Sequence, residues 1–202
     1  WIMLGLGNSL TTSSFVGGFS NTYSLDFDGT DDYVTMGDPV DGSLDFSTGD
    51  FTITLWFKVS SDASQYAAIY TKDTSKFRTY LQDVTPGSRK LTTSVGGTSK
   101  YNWFEYEFDT WYHLAVNRSS GTVEGYIDGV SKFTTTMSGD CSSTTSFDIG
   151  GIGSASNLSG NIDEVAIWDT ALSAGDISAL YSAKGTANLN DDGNSANLQG
   201  WW

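Results

Sequence analysis

The sequence predicts an all-β sandwich of two antiparallel sheets with one short helix near the C-terminal end. Three observations carry that expectation. Phe51, Ile53, Leu55, Phe57 and Val59 alternate with Thr52, Thr54, Trp56 and Lys58, the period of two that gives a strand one apolar face. Turn signals such as Gly96-Gly97, Ser120-Gly121 and Asp128-Gly129 separate short runs of this kind, as in sandwiches and barrels. Of the 24 acidic residues, 20 are aspartate and 4 glutamate, a bias toward turn formers over helix-surface residues.

Taken in order, Tyr23 to Met36 reads as strand, turn, strand, with Leu25 and Phe27 before Asp28-Gly29-Thr30-Asp31 and Tyr33-Val34 after it. Phe51 to Val59 is the clearest strand. Further strands are expected over 65–71, 77–84, 90–95, 101–108, 111–117, 123–127, 146–149 and 161–168. The helix follows: Ser173 and Asp176 form a capping-box-like pair, Ile177, Leu180 and Tyr181 share a face, and Gly185 stands where a helix-ending glycine belongs. The domain is expected over 23–184, with 1–22 as a linker or the edge of a preceding module and 185–202 as a linker into a following one. The absence of an initiator Met at Trp1 and the ending Gly200-Trp201-Trp202 suggest a piece of a longer protein.

Composition narrows the function. The chain of 202 residues carries a net charge of −14, which opposes nucleic-acid binding through an overall field. No apolar run approaches the length of about 20 residues that a membrane helix needs, so membrane insertion is not expected. One cysteine, Cys141, allows no intrachain disulfide, and one histidine, His113, excludes chemistry that needs two.

Five segments in series resemble the laminin G-like, concanavalin A-like jellyroll family, including its pentraxin relatives. They are Ser24 to Val34, Phe51 to Lys58, Thr110 to Val116, Gly125 to Gly129 and Gly160 to Trp168. The resemblance implies a jellyroll sandwich, and it points to no single activity, because one fold hosts many sites. The tail Asn197 to Trp202 is similar in style to a lead-in between modules in surface proteins of marine bacteriophages.

Four constellations suggest chemistry. Glu105, Glu107 and Asp109 alternate, placing i and i+2 carboxyls about 6.5 to 7 Å apart on a strand. Glycosidase pairs need about 5 to 9.5 Å. The family's glucanases use an order resembling Glu-x-Asp-x-x-Glu, which Glu-x-Glu-x-Asp does not match, so a solvated acidic face is the preferred reading. His113, inside an apolar strand and without a nucleophile elbow nearby, is expected as a core or interface histidine satisfied by backbone.

Calcium is the expected cofactor. Hard cations take oxygen ligands from carboxylates and tight loops. Asp28 and Asp32, with Asp31 between, supply carboxylates on one turn, and Asp163 and Glu164 supply two more. The resemblance implies that these segments lie together; the alternative is that Asp28 and Asp32 merely cap the turn. Asn188-x-Asn190-x-Asp192-Gly193 imitates the opening of an EF-hand loop but reads as a polar linker. Asn117 and Asn157 begin glycosylation sequons, read here as chance.

A sugar site needs ring faces beside polar groups. Tyr101 and Trp103 share a strand face with Glu105 and Glu107, and Arg78 and Tyr80 lie on a neighbouring strand. The same rings serve equally as packing beneath a loop or against another subunit. The function expected is therefore non-catalytic: a carbohydrate- or surface-binding, adhesive module of a larger extracellular or virion-surface protein. Its partners would be a glycan or cell-surface polysaccharide and other subunits of the assembly. A structural decoration or fibre module of a phage particle is the alternative, and a glycan hydrolase the second.

Overall fold

The computed structural model describes residues 23–202, apart from 85–87, 154 and 191–192. The expected N-terminal linker, 1–22, and the Asp191-Asp192 part of the EF-hand-like loop lie outside the described residues.

The chain forms β1 (Leu25–Asp28), β2 (Val34–Thr35), β3 (Phe51–Val59), β4 (Ala68–Asp73), β5 (Phe77–Asp83), β6 (Lys90–Val95) and β7 (Thr98–Glu105). It continues with β8 (Tyr112–Ser119), β9 (Thr122–Ile127), β10 (Val130–Thr136), β11 (Asp148–Ile149), β12 (Ser159–Trp168), α1 (Ala174–Ala183) and β13 (Leu198–Trp201). One antiparallel sheet runs β1-β12-β3-β8-β9-β10, with β13 also on β12; the second runs β2-β11-β4-β5-β6-β7. This is the jellyroll sandwich that the sequence predicts.

The odd-numbered apolar residues of β3 fill the core as expected. All five are at most 1% exposed, packed with Ile69, Phe77, Leu81, Leu91, Leu114, Val116, Phe147 and Ile162. Burial of this kind contributes about 25 cal/mol per Å² of apolar surface removed from water. The other face of β3 is covered over its first half, while Trp56 and Lys58 stay half-buried. Thr52 and Thr54 are buried too, because α1 and the chain after it lie over that face. There Ala115, Tyr126, Ala166, Trp168, Leu172 and Ile177 form a second apolar cluster. Thr52 is satisfied within it, donating to the Thr170 carbonyl at 2.8 Å and accepting from the Leu172 amide at 2.9 Å.

Three expectations change. The Asp28–Asp31 turn does not close a hairpin: β1 pairs with β12 in one sheet and β2 with β11 in the other. Alternation identifies strands but not their partners, and the five residues 29–33 are enough to cross sheets about 10 Å apart. A strand appears over Val130–Thr136, where Phe133 is the one buried residue. Finally, the 185–202 segment contains a strand. Leu198–Trp201 pairs with Ala166–Trp168, Val165 and Trp202 exchange two backbone hydrogen bonds of 2.9 Å, and Leu198 and Trp201 pack on the outer cluster.

The helix is built as its sequence dictates. The Ser173 hydroxyl accepts from the Asp176 amide at 3.1 Å while the Asp176 carboxylate accepts from the Ser173 amide at 3.0 Å, closing a capping box. At the other end Lys184, with φ 48°, and Gly185, with φ 76°, turn the chain out of the helix.

Candidate functional site

A cleft of about 340 Å³ opens where α1 meets the outer face of the first sheet, lined by Trp56, Trp111, Asp128, Asp163, Glu164, Tyr181, Lys184 and Gly185. That volume lies within the range of about 300–1,000 Å³ usual for small-ligand sites. Trp56 projects outward from β3, and its ring stacks on Tyr181 of α1 with centroids 5.7 Å apart and planes at 28°. Trp111, just before β8, is 38% exposed, and the Lys58 ammonium sits 5.4 Å from its ring centroid. The cleft therefore offers three aromatic side chains.

Local backbone geometry delivers the carboxylates. Adjacent strand residues normally point to opposite faces. Between Asp163 and Ala166 the β12–β3 register slips, and Glu164 takes φ 51°, so Asp163 and Glu164 both reach the cleft. The Asp163 carboxylate accepts from the Glu164 amide at 2.9 Å, and the Trp201 indole donates to Glu164 at 2.8 Å. The β9–β10 turn supplies Asp128. Asp128 and Gly129 have φ of 53° and 73°, the left-handed pair of a tight hairpin turn. A Cβ at Gly129 would stand 3.3 Å from both the Ser178 Cα and the Tyr181 ring, so glycine lets this turn lie against the helix. The Asp128 carboxylate then accepts from the His113 amide at 2.9 Å.

Beneath the cleft His113 is 2% exposed, with its ring centroid 5.3 Å from Trp56 and 6.1 Å from Tyr181. Among the described residues its Nδ1 has no hydrogen-bond partner, so the ring is held by packing rather than by the backbone bond expected from the sequence. Desolvation pulls its pKa down to about 4, which keeps the imidazole neutral.

The structure separates the expected metal ligands. Asp28 pairs with Ser159 and Leu25 with Ile162, so Asp163 stands four residues, about 13 Å, along β12 from the position opposite Asp28. Asp163 and Glu164 belong to the aromatic cleft. Asp28, Asp31 and Asp32 remain together, with carboxylate oxygens within 4.8 Å of one another. Asp28 accepts from the Thr30 amide at 2.7 Å and Asp32 from the Asp28 amide at 3.2 Å, so two of the three already cap the turn.

The expected sugar platform is also divided. Tyr101 is 60% exposed. Trp103 turns partly inward: its indole donates to Thr93 at 3.1 Å, and its ring meets the core residue Phe133 edge-on at 5.0 Å. The left-handed φ of 53° at Asn102, between them, accompanies this break in alternation. Glu105 pairs with Lys90 and Glu107 with Arg89, which occupies both carboxylates at the surface. The Lys90 ammonium holds the Glu105 carboxyl below the usual range. Asp109 donates its amide to Val59 from a turn. Arg78 lies on Tyr80, its guanidinium 3.6 Å from the ring centroid. Beside it Asp148, Thr71 and Arg78 stand opposite one another across β11, β4 and β5. Asp148 Oδ1, Thr71 Oγ1 and Arg78 Nε are buried there without a hydrogen-bond partner among the described residues. Both sequon asparagines are buried, Asn117 donating to the Leu172 carbonyl and Asn157 to the Thr30 carbonyl.

Sequence reasoning missed Trp56, Trp111, Asp128, Tyr181 and Lys184 as one site. The available signal was Trp56, a large ring at an outward position of the clearest strand.

The family model described as the concanavalin A-like lectin/glucanases superfamily matches residues 28–178. No curated protein matches the chain. Among solved structures, domain 4 of an extracellular GH43 arabinanase from Geobacillus stearothermophilus, in complex with arabinotriose, is similar at 24% identity and TM-score 0.54, covering 69% of each chain. A SAP-like pentraxin from Limulus polyphemus is similar at 19% identity and TM-score 0.56, over 77% of this chain and 80% of that one. A Bacteroides ovatus protein to which carbohydrate binding is ascribed is similar at 17% identity and TM-score 0.64, over 91% of this chain and 53% of that one.

Proposed function

We propose that this chain, which belongs to the concanavalin A-like lectin/glucanases superfamily, is a carbohydrate-binding module that works without a chemical step. We place its glycan in the cleft of Trp56, Trp111 and Tyr181. The observation that carries this reading is the cleft itself, where ring faces stand beside Asp128, Asp163, Glu164 and Lys184. Apolar C–H faces of a pyranose stack on aromatic rings, while carboxylates and ammonium groups bond its hydroxyls. Similarity to an arabinanase domain solved with arabinotriose and to the Bacteroides ovatus protein supports the ligand class. A wider depression between the 41–50 loop and Asp169 is lined by acids, with Phe46 its one ring, so it lacks a stacking surface.

Glu105 and Glu107, the carboxylates weighed for the hydrolase alternative, are each engaged in an ion pair, which favours the non-catalytic form of the reading. We extend it to an adhesive module of an extracellular or virion-surface assembly. None of the described helices is long and apolar enough to cross a membrane. A structural role against other subunits is the second reading, favoured by the exposed rings of Tyr66, Tyr101 and Trp202.

A structural calcium at the Asp28–Asp32 turn is part of the proposal. The donor chemistry suits a hard cation, and Asp28, Asp31 and Asp32 would hold it; six to eight oxygens are usual, so backbone or solvent oxygens would complete the shell.

A glycan array of the folded chain, run in calcium and in chelator, tests the function. Specific binding is expected in calcium. Absence of binding in both buffers would move the assignment to the structural reading.

A further inference from the structure

Resting on the carbohydrate-binding reading, we propose that the C-terminal strand β13 is a working part of the binding site, with Trp201 as the positioning residue that holds Glu164 in the cleft. The matched family span ends at residue 178, whereas β13 covers Leu198–Trp201, so this element lies outside the family match.

Glu164 needs such a holder. Its φ of 51° lies in the left-handed region, which a non-glycine residue keeps only when its surroundings impose it. The register slip falls at the same point. Asp163 pairs with Trp56 and Ala166 with Thr54, so Glu164 and Val165 together stand opposite Leu55. β3 alone therefore leaves the backbone at Glu164 loosely determined.

β13 supplies the second constraint, from the opposite edge of β12. Val165 and Trp202 exchange two backbone hydrogen bonds of 2.9 Å, Ala166 pairs with Trp201, and the Trp201 indole donates to the Glu164 carboxylate at 2.8 Å. The strand is itself anchored. Leu198 and Trp201 pack on the outer cluster, and the Asp169 amide donates to the Asn197 carbonyl at 3.0 Å. On the cleft side a Cβ at Gly185 would stand 3.2 Å from Glu164 Cγ, so the chain leaving α1 closes on the same side chain.

The functional consequence is preorganisation. An indole N–H only donates, so it holds an oxygen of the carboxylate in a fixed direction. A sugar seated in the cleft then meets Glu164 already oriented and does not have to order it. Sugar affinity and β13 docking become coupled: loosening β13 weakens binding, and a bound glycan protects β13 in return.

The test has a ligand-free arm and a binding arm, both on the full chain. In nitrogen-15 spectra the Trp201 indole N–H resonance, assigned in wild type, is expected to move upfield in Glu164→Ala. An unmoved resonance would overturn the proposal. A glycan array read as a dose series then compares wild type, Trp201→Phe, Glu164→Ala and the double variant, with melting temperatures checking each fold. Trp201→Phe keeps a ring on the outer cluster and loses the donor. It is expected to weaken the wild-type array signals about tenfold, the scale of one hydrogen bond to a charged group. In the Glu164→Ala background the same change is expected to alter affinity by less than about twofold, since Trp201 then has nothing to position. Folded Trp201→Phe binding as wild type does would overturn the inference and leave the carbohydrate reading standing. A loss repeated in full in the Glu164→Ala background would show that Trp201 acts through packing alone, and would overturn it too. Binding of no glycan by folded wild type would remove the carbohydrate reading and this inference with it.

Discussion

Arg118 lies with its guanidinium carbon 4.9 Å from the ring centroid of Phe51, its cross-strand partner in the first sheet. The side chain is fully buried and has no carboxylate partner within salt-bridge distance among the described residues. It donates to the carbonyls of Gly49 at 2.6 Å, Ser47 at 2.8 Å and Gly139 at 3.0 Å, and to the Cys141 sulfur at 3.2 Å. One guanidinium thus ties the 46–49 loop to the 139–141 loop at one end of the sandwich.

From this follows a stability prediction. Lysine places a single ammonium where a planar fork bonds several oppositely placed acceptors. Arg118→Lys is expected to cost about 3 kcal/mol, the scale of losing two hydrogen bonds to a charged donor. Urea unfolding monitored by fluorescence measures it. A change in midpoint within error would show that the loops hold together without the clamp.

His113 makes stability depend on pH in a stated direction. Its pKa is about 4 when folded, against about 6.5 for a free imidazole, so the unfolded chain takes up the proton first. The contribution is fully present above pH 6.5 and is lost as pH falls from 6.5 toward 4, at up to about 1.4 kcal/mol per pH unit. Melting curves of wild type and His113→Gln across that window should converge at the acid end. Parallel curves would mean that the imidazole takes up its proton equally in both states.

Asp31 separates the two roles of the acidic turn. Asp28 and Asp32 bond backbone amides, whereas Asp31 accepts no such bond among the described residues. If calcium is held there, wild type melts higher in calcium than in chelator, by about 2.7 kcal/mol when the ion is a hundredfold above its Kd. Asp31→Asn is expected to abolish that increment and leave the chelator value unchanged. Identical melting of wild type in both buffers would remove the ion from the account.

Glu105 and Glu107 are expected to carry no chemistry. Both are exposed and paired with Lys90 and Arg89. Prolonged incubation with the glycans that bind should yield no shortened products. Reducing-end release that disappears in the Glu105→Gln, Glu107→Gln double variant would restore the hydrolase alternative.

Most of the fold is legible in the sequence, and the reason is visible at β3, where alternation and core burial coincide residue by residue. The helix was legible because its capping box and terminal glycine are local chemistry. The pairing of β1 and β2 in different sheets was not, since it depends on partners more than 100 residues away, β12 and β11. The site was harder still. Asp163 and Glu164 stood out as carboxylates, but a register slip on β12 decides which way they face, and Trp56, Trp111 and Tyr181 meet only when α1 docks on the sheet. Arg118 gave no local sign of its role, because its acceptors are main-chain carbonyls that no sequence pattern marks.

The most direct measurement is calorimetric titration of wild type, Trp111→Ala and Tyr101→Ala with a glycan that the array identifies. With the binding site in the cleft beside α1, Trp111→Ala loses at least tenfold in affinity at an unchanged melting temperature, and Tyr101→Ala binds as wild type does. The opposite pattern, full affinity in Trp111→Ala and loss in Tyr101→Ala, would place the ligand on the second sheet beside Arg78 and Tyr80 and contradict the central claim.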